Sequence, residues 1–361
     1  MKFSLHSGGV AAALVGALAL TLAGCGSTTS TSQGPVSLQE TGSTLLYPLF
    51  QIWAPAYTKD HASVKITTQG TGSGTGISDA VNGTVQIGAS DAYMANAQMS
   101  ADPGMLNIPL AISAQQIMYN LPGLNQEHLH LSGQVLADIY TGKITMWNDS
   151  AIKALNPGVQ LPQIRIVPIH RADGSGDTFL FTQYLSFSNP QSWGSPKGPQ
   201  YATSISWPSV QNSISATGNG GMVEALQQTK GGIAYVGISF LNQAVQDGIG
   251  YAAVENAAGE FLLPTAQTIQ TEAQSLVGKT PADERVSLIY GPAQGAYPII
   301  NYEYAIVNSK QASPTTAKAV RDFLTWALTT GNQASYLDQV HFLPLPSAVV
   351  KLSEAQIAKV K

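Results

Sequence analysis

Short apolar and β-branched segments alternate along this chain with longer segments of helical spacing, and this alternation limits the folds that are open to it. Strands that alternate with helices predict an α/β architecture with largely parallel sheets. The predicted strands are 64–68, 85–89, 116–120, 165–169, 233–236 and 299–307. The predicted helices are 45–57, 76–82, 132–140, 178–185, 221–228 and 315–330, and 189–208 is predicted to be a long surface loop.

The N-terminus has the pattern of an export signal. Lys2 provides a positive charge, 10–22 is apolar, and Leu-Ala-Gly directly precedes Cys25. About thirteen apolar residues are too few to span a bilayer as a helix, which takes about 20, so 1–24 is predicted to be a signal peptide. Cys25 is the single cysteine, and its position resembles a bacterial lipobox. We therefore predict an extracytoplasmic protein that is anchored to the cell membrane by lipid on Cys25, with a flexible tether over 25–35.

Size and charge narrow the class of protein further. About 325 residues follow the tether, which exceeds the usual size of one core, so two lobes with a cleft between them are expected. Only 11% of the residues are charged and the net charge is −4, against roughly 25% charged residues in typical domains. Without a cluster of Lys and Arg, binding to nucleic acid is not expected.

Three loops share one local design, in which glycine and a hydroxyl residue precede a predicted helix. They lie at 41–44, 70–76 and 173–177. One such loop is ordinarily a helix cap, but unpaired N–H groups at a helix start also attract anions. Three of them at strand ends predict an anion site. The loop at 70–76 lacks the lysine of a P-loop and the spacing of a dinucleotide motif, so nucleotide binding is weakly supported.

Charged residues flank these loops. Arg171 is a candidate for two-pronged binding of an oxyanion, and Asp173 would hold its guanidinium, although an ordinary surface ion pair is the alternative. Asp91 follows a predicted strand, and its alternative role is to cap a turn. A carboxylate can accept a proton from phosphate but repels sulfate, which carries no proton near neutral pH. Asp91 therefore favours a protonated oxyanion as the ligand.

At these residues the sequence resembles the PstS family, the phosphate-binding receptors of bacterial ABC transporters. The resemblance covers nearly the whole chain after the tether. The motifs that carry it are at 41–48, 69–74, 88–92, 136–144, 147–149, 171–176 and 232–236.

The resemblance implies a two-lobed periplasmic binding protein fold of type II, with a hinge of two crossing strands near 111–114 and 297–301. One lobe would comprise 36–112 and 300–361, and the other 113–299. The implied function is capture of inorganic phosphate in the cleft and its delivery to the permease of an ABC importer, without a cofactor and without catalysis.

The resemblance also implies particular contacts to phosphate. Asp91 would accept the phosphate proton and Asp173 would orient Arg171. Asp177 replaces the hydroxyl residue that the family often has, and we predict either a second proton acceptor or a residue that caps the helix start. The predicted phosphate-binding residues are Thr44, Leu45, Ser73, Asp91, Arg171, Ser175, Gly176 and Asp177.

Two alternatives remain open. The same architecture would also suit sulfate or molybdate. A phosphatase or esterase would use Ser175 with His170, although no nucleophile-elbow motif is present. No metal site is expected, because the histidines, such as His128 and His130, have no acidic or cysteine partners at ligand spacing.

Overall fold

The computed structural model describes residues 35–361. The predicted signal peptide, Cys25 and all but the last residue of the predicted tether lie outside the described residues. Within 35–361, no helix combines the length and the apolar character that crossing a membrane requires.

The strands fall into one large and one small sheet. They are β1 (Val36–Gly42), β2 (Val64–Gly70), β3 (Ile87–Ser90), β4 (Met105–Tyr119), β5 (His130–Leu131), β6 (Val167–Arg171), β7 (Ile214–Ala216), β8 (Gly232–Gly237), β9 (Gly250–Tyr251), β10 (Ala253–Glu255), β11 (Phe261–Leu262) and β12 (Ile300–Asn308). The large sheet has the order β2-β1-β3-β12-β4-β8-β6-β7, with β9 beside β4, and the small sheet has the order β11-β10-β5.

The helices follow most of the strands. They are α1 (Tyr47–Asp60), α2 (Ser73–Val81), α3 (Asn96–Ala101), α4 (Gly133–Tyr140), α5 (Ser150–Leu155), α6 (Gly176–Ser188), α7 (Gly218–Gln228), α8 (Leu241–Gln246), α9 (Ala266–Leu276), α10 (Pro314–Leu328), α11 (Ala334–Leu337) and α12 (Ser347–Ile357). The predicted α/β class is confirmed. The predicted loop at 189–208 contains no helix or strand.

The long strand β4 connects two halves of the large sheet. Its residues 105–114 pair with β12, and its residues 115–119 pair with β8. We call β1, β2, β3 and β12 the first half of the sheet, and β6, β7, β8 and β9 the second half. Four strands pair with β1 or β6, and all four run parallel to them: β2 and β3 pair with β1, and β7 and β8 pair with β6.

The centre of the sheet differs from the prediction of largely parallel pairing. β12 is antiparallel to β3 and β4, and β4 is antiparallel to β8 and β9. The physical reason is that β4 runs from the first half into the second, antiparallel to β12 along its first part and to β8 along its second. The parallel βαβ units therefore lie on either side of this antiparallel centre. Every residue of β4 is buried, which is typical of a strand that has helices on both faces.

Candidate anion-binding site

Four helix N-termini, those of α1, α2, α6 and α7, meet where the two halves of the sheet approach each other. The N–H of Gly74 donates to the carbonyl of Gly174 across 2.9 Å. The backbone and side-chain nitrogens of Asn219 donate to Thr44 Oγ1 at 3.1 and 3.0 Å. Helix N-termini carry unpaired N–H groups and a partial positive charge. Their convergence therefore makes this region suitable for an anion.

Arg171, at the end of β6, provides the cation of this region. Its side chain is only 1% exposed. Nε donates to Asp173 Oδ1 at 2.7 Å, and Nη2 donates to Asp173 Oδ2, so the two side chains form a two-pronged ion pair. Nη1 donates to Asp177 Oδ2 at 2.8 Å. The guanidinium is thus fixed in orientation by carboxylates on two sides.

Burial and ion pairing shift the pKa values of Arg171 and Asp173 in opposite directions. Burial alone would lower the pKa of Arg171, but its hydrogen bond and charge interactions with Asp173 and Asp177 raise it. Burial would raise the pKa of Asp173, but the bonds from Arg171 and the N–H of Gly218 lower it. Both groups are therefore charged at neutral pH, as an anion site built around a fixed cation requires.

Asp177 lies in the first turn of α6 and is held entirely by neighbouring protein groups. Its Oδ2 accepts from Arg171 and, at 2.7 Å, from Asn219 Nδ2. Its Oδ1 accepts from Gln115 Nε2 at 3.1 Å. Burial raises its pKa, although Arg171, Gln115 and Asn219 oppose this effect. These contacts favour a role in orienting Arg171, and direct contact of Asp177 with a ligand stays a prediction.

Asp91 directly follows β3 and is 2% exposed. Its Oδ1 accepts from Ser43 Oγ, and its Oδ2 accepts from Ser73 Oγ at 3.3 Å. Burial raises the pKa of Asp91 well above its ordinary range, and the charges of Glu303 and Asp177 raise it further. A carboxylate of raised pKa is a good acceptor for a proton that a ligand brings.

The remaining predicted residues lie around the same point. Ser175 caps α6, since its Oγ accepts from the N–H of Thr178 at 3.3 Å. A Cβ on Gly176 would lie 2.4 Å from Asp91 Oδ2 and 2.6 Å from Ser73 Oγ. The carbonyl of Leu45 accepts from Ser239 Oγ at 2.8 Å. The structure therefore brings all the predicted site residues into one connected region, while their contacts with a ligand stay predictions.

Four residues of this region were not predicted. Ser43 Oγ accepts from the N–H groups of Leu45 and Leu46, and so caps the turn that leads into α1. Asn219, at the start of α7, links Thr44 to Asp177. The other two are Gln115, which bonds Asp177, and Glu303, which lies beside Asp91. Glu303 could have been identified from the sequence, because it is the single charged residue in the predicted strand 299–307.

The geometry gives little support to a catalytic serine. Ser175 Oγ faces the start of α6, whereas the ring of His170 stacks on Trp207 with centroids 4.9 Å apart. No hydrogen bond joins Ser175 to His170 in the part of the chain that is described, and a nucleophile needs its base within such reach. Likewise, residues 35–361 contain no group of three or more His, Cys, Asp or Glu side chains arranged to hold a metal.

Comparison with known proteins gives the family. A model described as a PBP superfamily domain matches residues 28–330. The phosphate-binding protein PstS of Xylella fastidiosa (strain Temecula1) is 32% identical over 320 residues, which are 89% of this chain and 84% of that protein. The phosphate-binding protein PstS of Methanocaldococcus jannaschii is 32% identical over 368 residues, covering 95% of this chain and 92% of that protein. This chain belongs to the PstS family.

A solved structure supports the same fold. The phosphate-binding protein of Stenotrophomonas maltophilia has a TM-score of 0.68 to this chain at 19% identity, over 89% of this chain and 93% of that one. The predicted two-lobed periplasmic binding protein fold is thereby confirmed for this member of the PstS family. The strand β4 joins the two halves of its sheet, since it pairs with β12 of the first half and with β8 of the second.

Proposed function

We propose that this protein binds inorganic phosphate between its two lobes and delivers it to the permease of an ABC importer. The proposal depends on one observation: the same site contains a fixed, buried guanidinium, that of Arg171, and a buried carboxylate of raised pKa, that of Asp91. The cation suits any oxyanion, whereas the carboxylate suits only one that brings a proton. The names of the relatives, which are phosphate-binding proteins, agree with this choice.

The proposed contacts follow from donors that the fold leaves directed at this region. The hydroxyl of Thr44 accepts two bonds from Asn219 and has its own proton free to donate. Ser175 contributes a hydroxyl, and Gly176 contributes a backbone N–H at a helix start. The N–H of Leu45 and the hydroxyl of Ser73 donate to Ser43 and Asp91 in this structure, and would exchange those bonds for bonds to phosphate. Arg171 neutralises the charge of the anion, and Asp91 accepts its proton.

The proposed lobes are 36–112 with 300–361, and 113–299. Several contacts cross between them, among them the bond from Gly74 to Gly174 and that from Ser239 to Leu45. Phosphate that contacts both lobes would bind the closed arrangement better than an open one and so shift the population toward it. The closed protein would then dock on the permease, and no covalent step is needed.

Lipid attachment on Cys25 is the remaining part of the proposal, and it rests on the sequence around that cysteine. An acylated N-terminus would hold the protein at the outer face of the cell membrane, close to the permease. Protein extracted from membranes should give an N-terminal peptide that begins at Cys25 and carries the added mass of acyl chains. A Cys25→Ser variant should be released from the membrane fraction, and retention of that variant would rule out the anchor.

Calorimetry of the protein lacking residues 1–24 tests the binding function. Phosphate should bind with one site per chain, arsenate should compete, and sulfate at the same concentration should bind at least about a hundredfold more weakly because it offers Asp91 no proton. Sulfate binding as tight as that of phosphate would instead support the alternative of a sulfate-type receptor. Turnover of a phosphate ester by the purified protein would support the catalytic alternative.

A further inference from the structure

A second carboxylate, Glu303 of β12, lies beside Asp91 and is fully buried. Its Oε1 accepts from Ser113 Oγ on β4 and from Asn301 Nδ2 on its own strand, the latter at 3.1 Å. Its Oε2 accepts from no donor among residues 35–361. The antiparallel pairing of β12 with β3 reaches Tyr304 and Ser90, so Glu303 and Asp91 are the next residues on the two chains, and Asn301 Nδ2 also donates to the carbonyl of Asp91 at 3.3 Å. The two carboxyl groups therefore lie beside each other. Two carboxylates make such a contact only when a proton lies between them.

No cation compensates this pair within the described residues. The guanidinium of Arg171 bonds Asp173 and Asp177, and no lysine, arginine or histidine donates to Asp91 or Glu303. The titratable groups that act on Glu303 are Asp91, from the end of β3, and Asp177, from α6. Both are acidic, while β4 contributes only the hydroxyl of Ser113. With two buried carboxyl groups in contact and no cation between them, only one can lose its proton at neutral pH.

We propose that Glu303 is a positioning residue for phosphate binding, which shares one proton with Asp91 and holds it when a protonated phosphate donates a hydrogen bond to Asp91. This inference rests on the proposed function. In the complex, the proton on Glu303 is directed at Asp91, which stays ionised and accepts a hydrogen bond from the protonated oxygen of phosphate. The pair thus keeps a single negative charge next to the bound anion. Loss of the shared proton would add a second negative charge and repel phosphate.

The sign of the expected pH dependence follows from this charge. Burial raises the pKa of Glu303 to about 7, and its hydrogen bonds with Ser113, Asp91 and Asn301 oppose that shift. Burial also raises the pKa of Asp91, which the contact with Glu303 raises further, so the two carboxyl groups titrate as a pair. Bound phosphate is an anion, so it raises this pKa further. At alkaline pH, phosphate binding is therefore coupled to proton uptake by the Asp91–Glu303 pair. Affinity falls as the pH rises through the pKa at which this pair loses its shared proton in the protein without phosphate.

The Glu303→Gln variant removes the shared proton but retains a similar shape. The glutamine amide can still donate to Asp91, and its oxygen can still accept from Ser113 and Asn301. Phosphate affinity should be unchanged at about pH 6, and at about pH 9 the wild type should bind about tenfold more weakly than the variant. The ionisation of phosphate itself is the same for both proteins, so the ratio of their dissociation constants isolates the protein group.

Calorimetry in buffers of different ionisation enthalpy provides a second readout, which a purely structural role would not change. The wild type should take up more protons on binding phosphate at about pH 8 than Glu303→Gln does.

The matched control is Glu284→Gln. Burial raises the pKa of Glu284 to about 8, but its Oε1 accepts from Ser353 of α12, outside this site. This control should bind phosphate with the wild-type pH profile.

Ser113→Ala provides an independent variant in case Glu303→Gln does not fold. It removes a donor that stabilises ionised Glu303, so the decline in affinity should move to higher pH. Parallel pH profiles for wild type and Glu303→Gln, or an unmoved profile for Ser113→Ala, would overturn the role of Glu303 while leaving phosphate binding intact. A wild type that fails to bind phosphate at any of these pH values would overturn the proposed function and this inference together.

Discussion

Replacing Arg171 with alanine should weaken phosphate binding by about a hundredfold to a thousandfold at neutral pH. Within residues 35–361, no other cationic side chain forms an ion pair with Asp173 or Asp177. Charge-assisted hydrogen bonds contribute roughly 1.5–3 kcal/mol each, and removing one partner of a buried ion pair costs about 3–5 kcal/mol. The variant loses the attraction for phosphate and also leaves two acidic side chains uncompensated beside the anion. Calorimetry with phosphate measures the effect.

Arg171→Lys should restore only part of the lost affinity. A lysine keeps the positive charge, but it lacks the planar fork with which Arg171 binds Asp173 through two nitrogens while a third reaches Asp177. The control is Arg285→Ala. Arg285 also pairs with an aspartate two residues away, Asp283, but bonds Met94 and Asn96 rather than residues of the site. Equal affinities for Arg171→Ala and Arg285→Ala would contradict the proposed site.

The sequence predicted the helices and strands best where an apolar segment is followed directly by a glycine-containing loop. The predicted strand at 233–236 lies within β8, and the predicted helix at 221–228 lies within α7, which starts three residues earlier. The strand β1 was not predicted. Only Val36 and Leu38 among its seven residues are large and apolar, and its position is fixed by pairing with β2 and β3 on either side. Such pairing is a tertiary effect that local propensity does not contain.

The first part of β4 was also missed, and Pro109 explains why. A proline inside an apolar segment argues against a central strand, because it has no N–H to donate. In the structure, Pro109 pairs with Tyr304 next to a change of register between Glu303 and Tyr304. Bulges of this kind accommodate a residue that cannot complete the ladder. The strand therefore continues through a position at which sequence patterns predict an end.

The site shows the same division between local and tertiary information. The ion pair of Arg171 with Asp173 joins residues two positions apart, so a single motif was enough to predict it. Asn219 bonds Thr44, which is 175 positions away, and Asp177, which is 42 positions away. Its local sequence, Gly-Asn-Gly-Gly, is typical of a turn. The role of Asn219 becomes visible only when the two halves of the sheet are brought together.

The second large effect on phosphate affinity is expected from Gly176→Ala, because Gly176 lies where the two halves of the sheet approach each other closely. A Cβ at this position would lie 2.4 Å from Asp91 Oδ2 and 2.6 Å from Ser73 Oγ. Gly176 belongs to one proposed lobe, and Asp91 and Ser73 belong to the other. The variant retains the backbone N–H that is proposed to bind phosphate, so any loss arises from obstruction of closure. We expect phosphate affinity to fall by about a hundredfold, because the closed state becomes less populated.

The stability of Gly176→Ala separates this mechanism from damage to the fold. Alanine is a better helix former than glycine by about 1 kcal/mol, and opening of the lobes relieves the clash, so the temperature of thermal unfolding without phosphate should stay close to that of the wild type. X-ray scattering with saturating phosphate should give a larger radius of gyration for the variant. The matched control is Gly278→Ala, because a Cβ there meets no atom within 4 Å. Undiminished phosphate affinity in Gly176→Ala would contradict this prediction. It would mean that Gly176 does not contact Asp91 and Ser73 in the phosphate-bound protein, and that the closed arrangement of the lobes differs from the one described here.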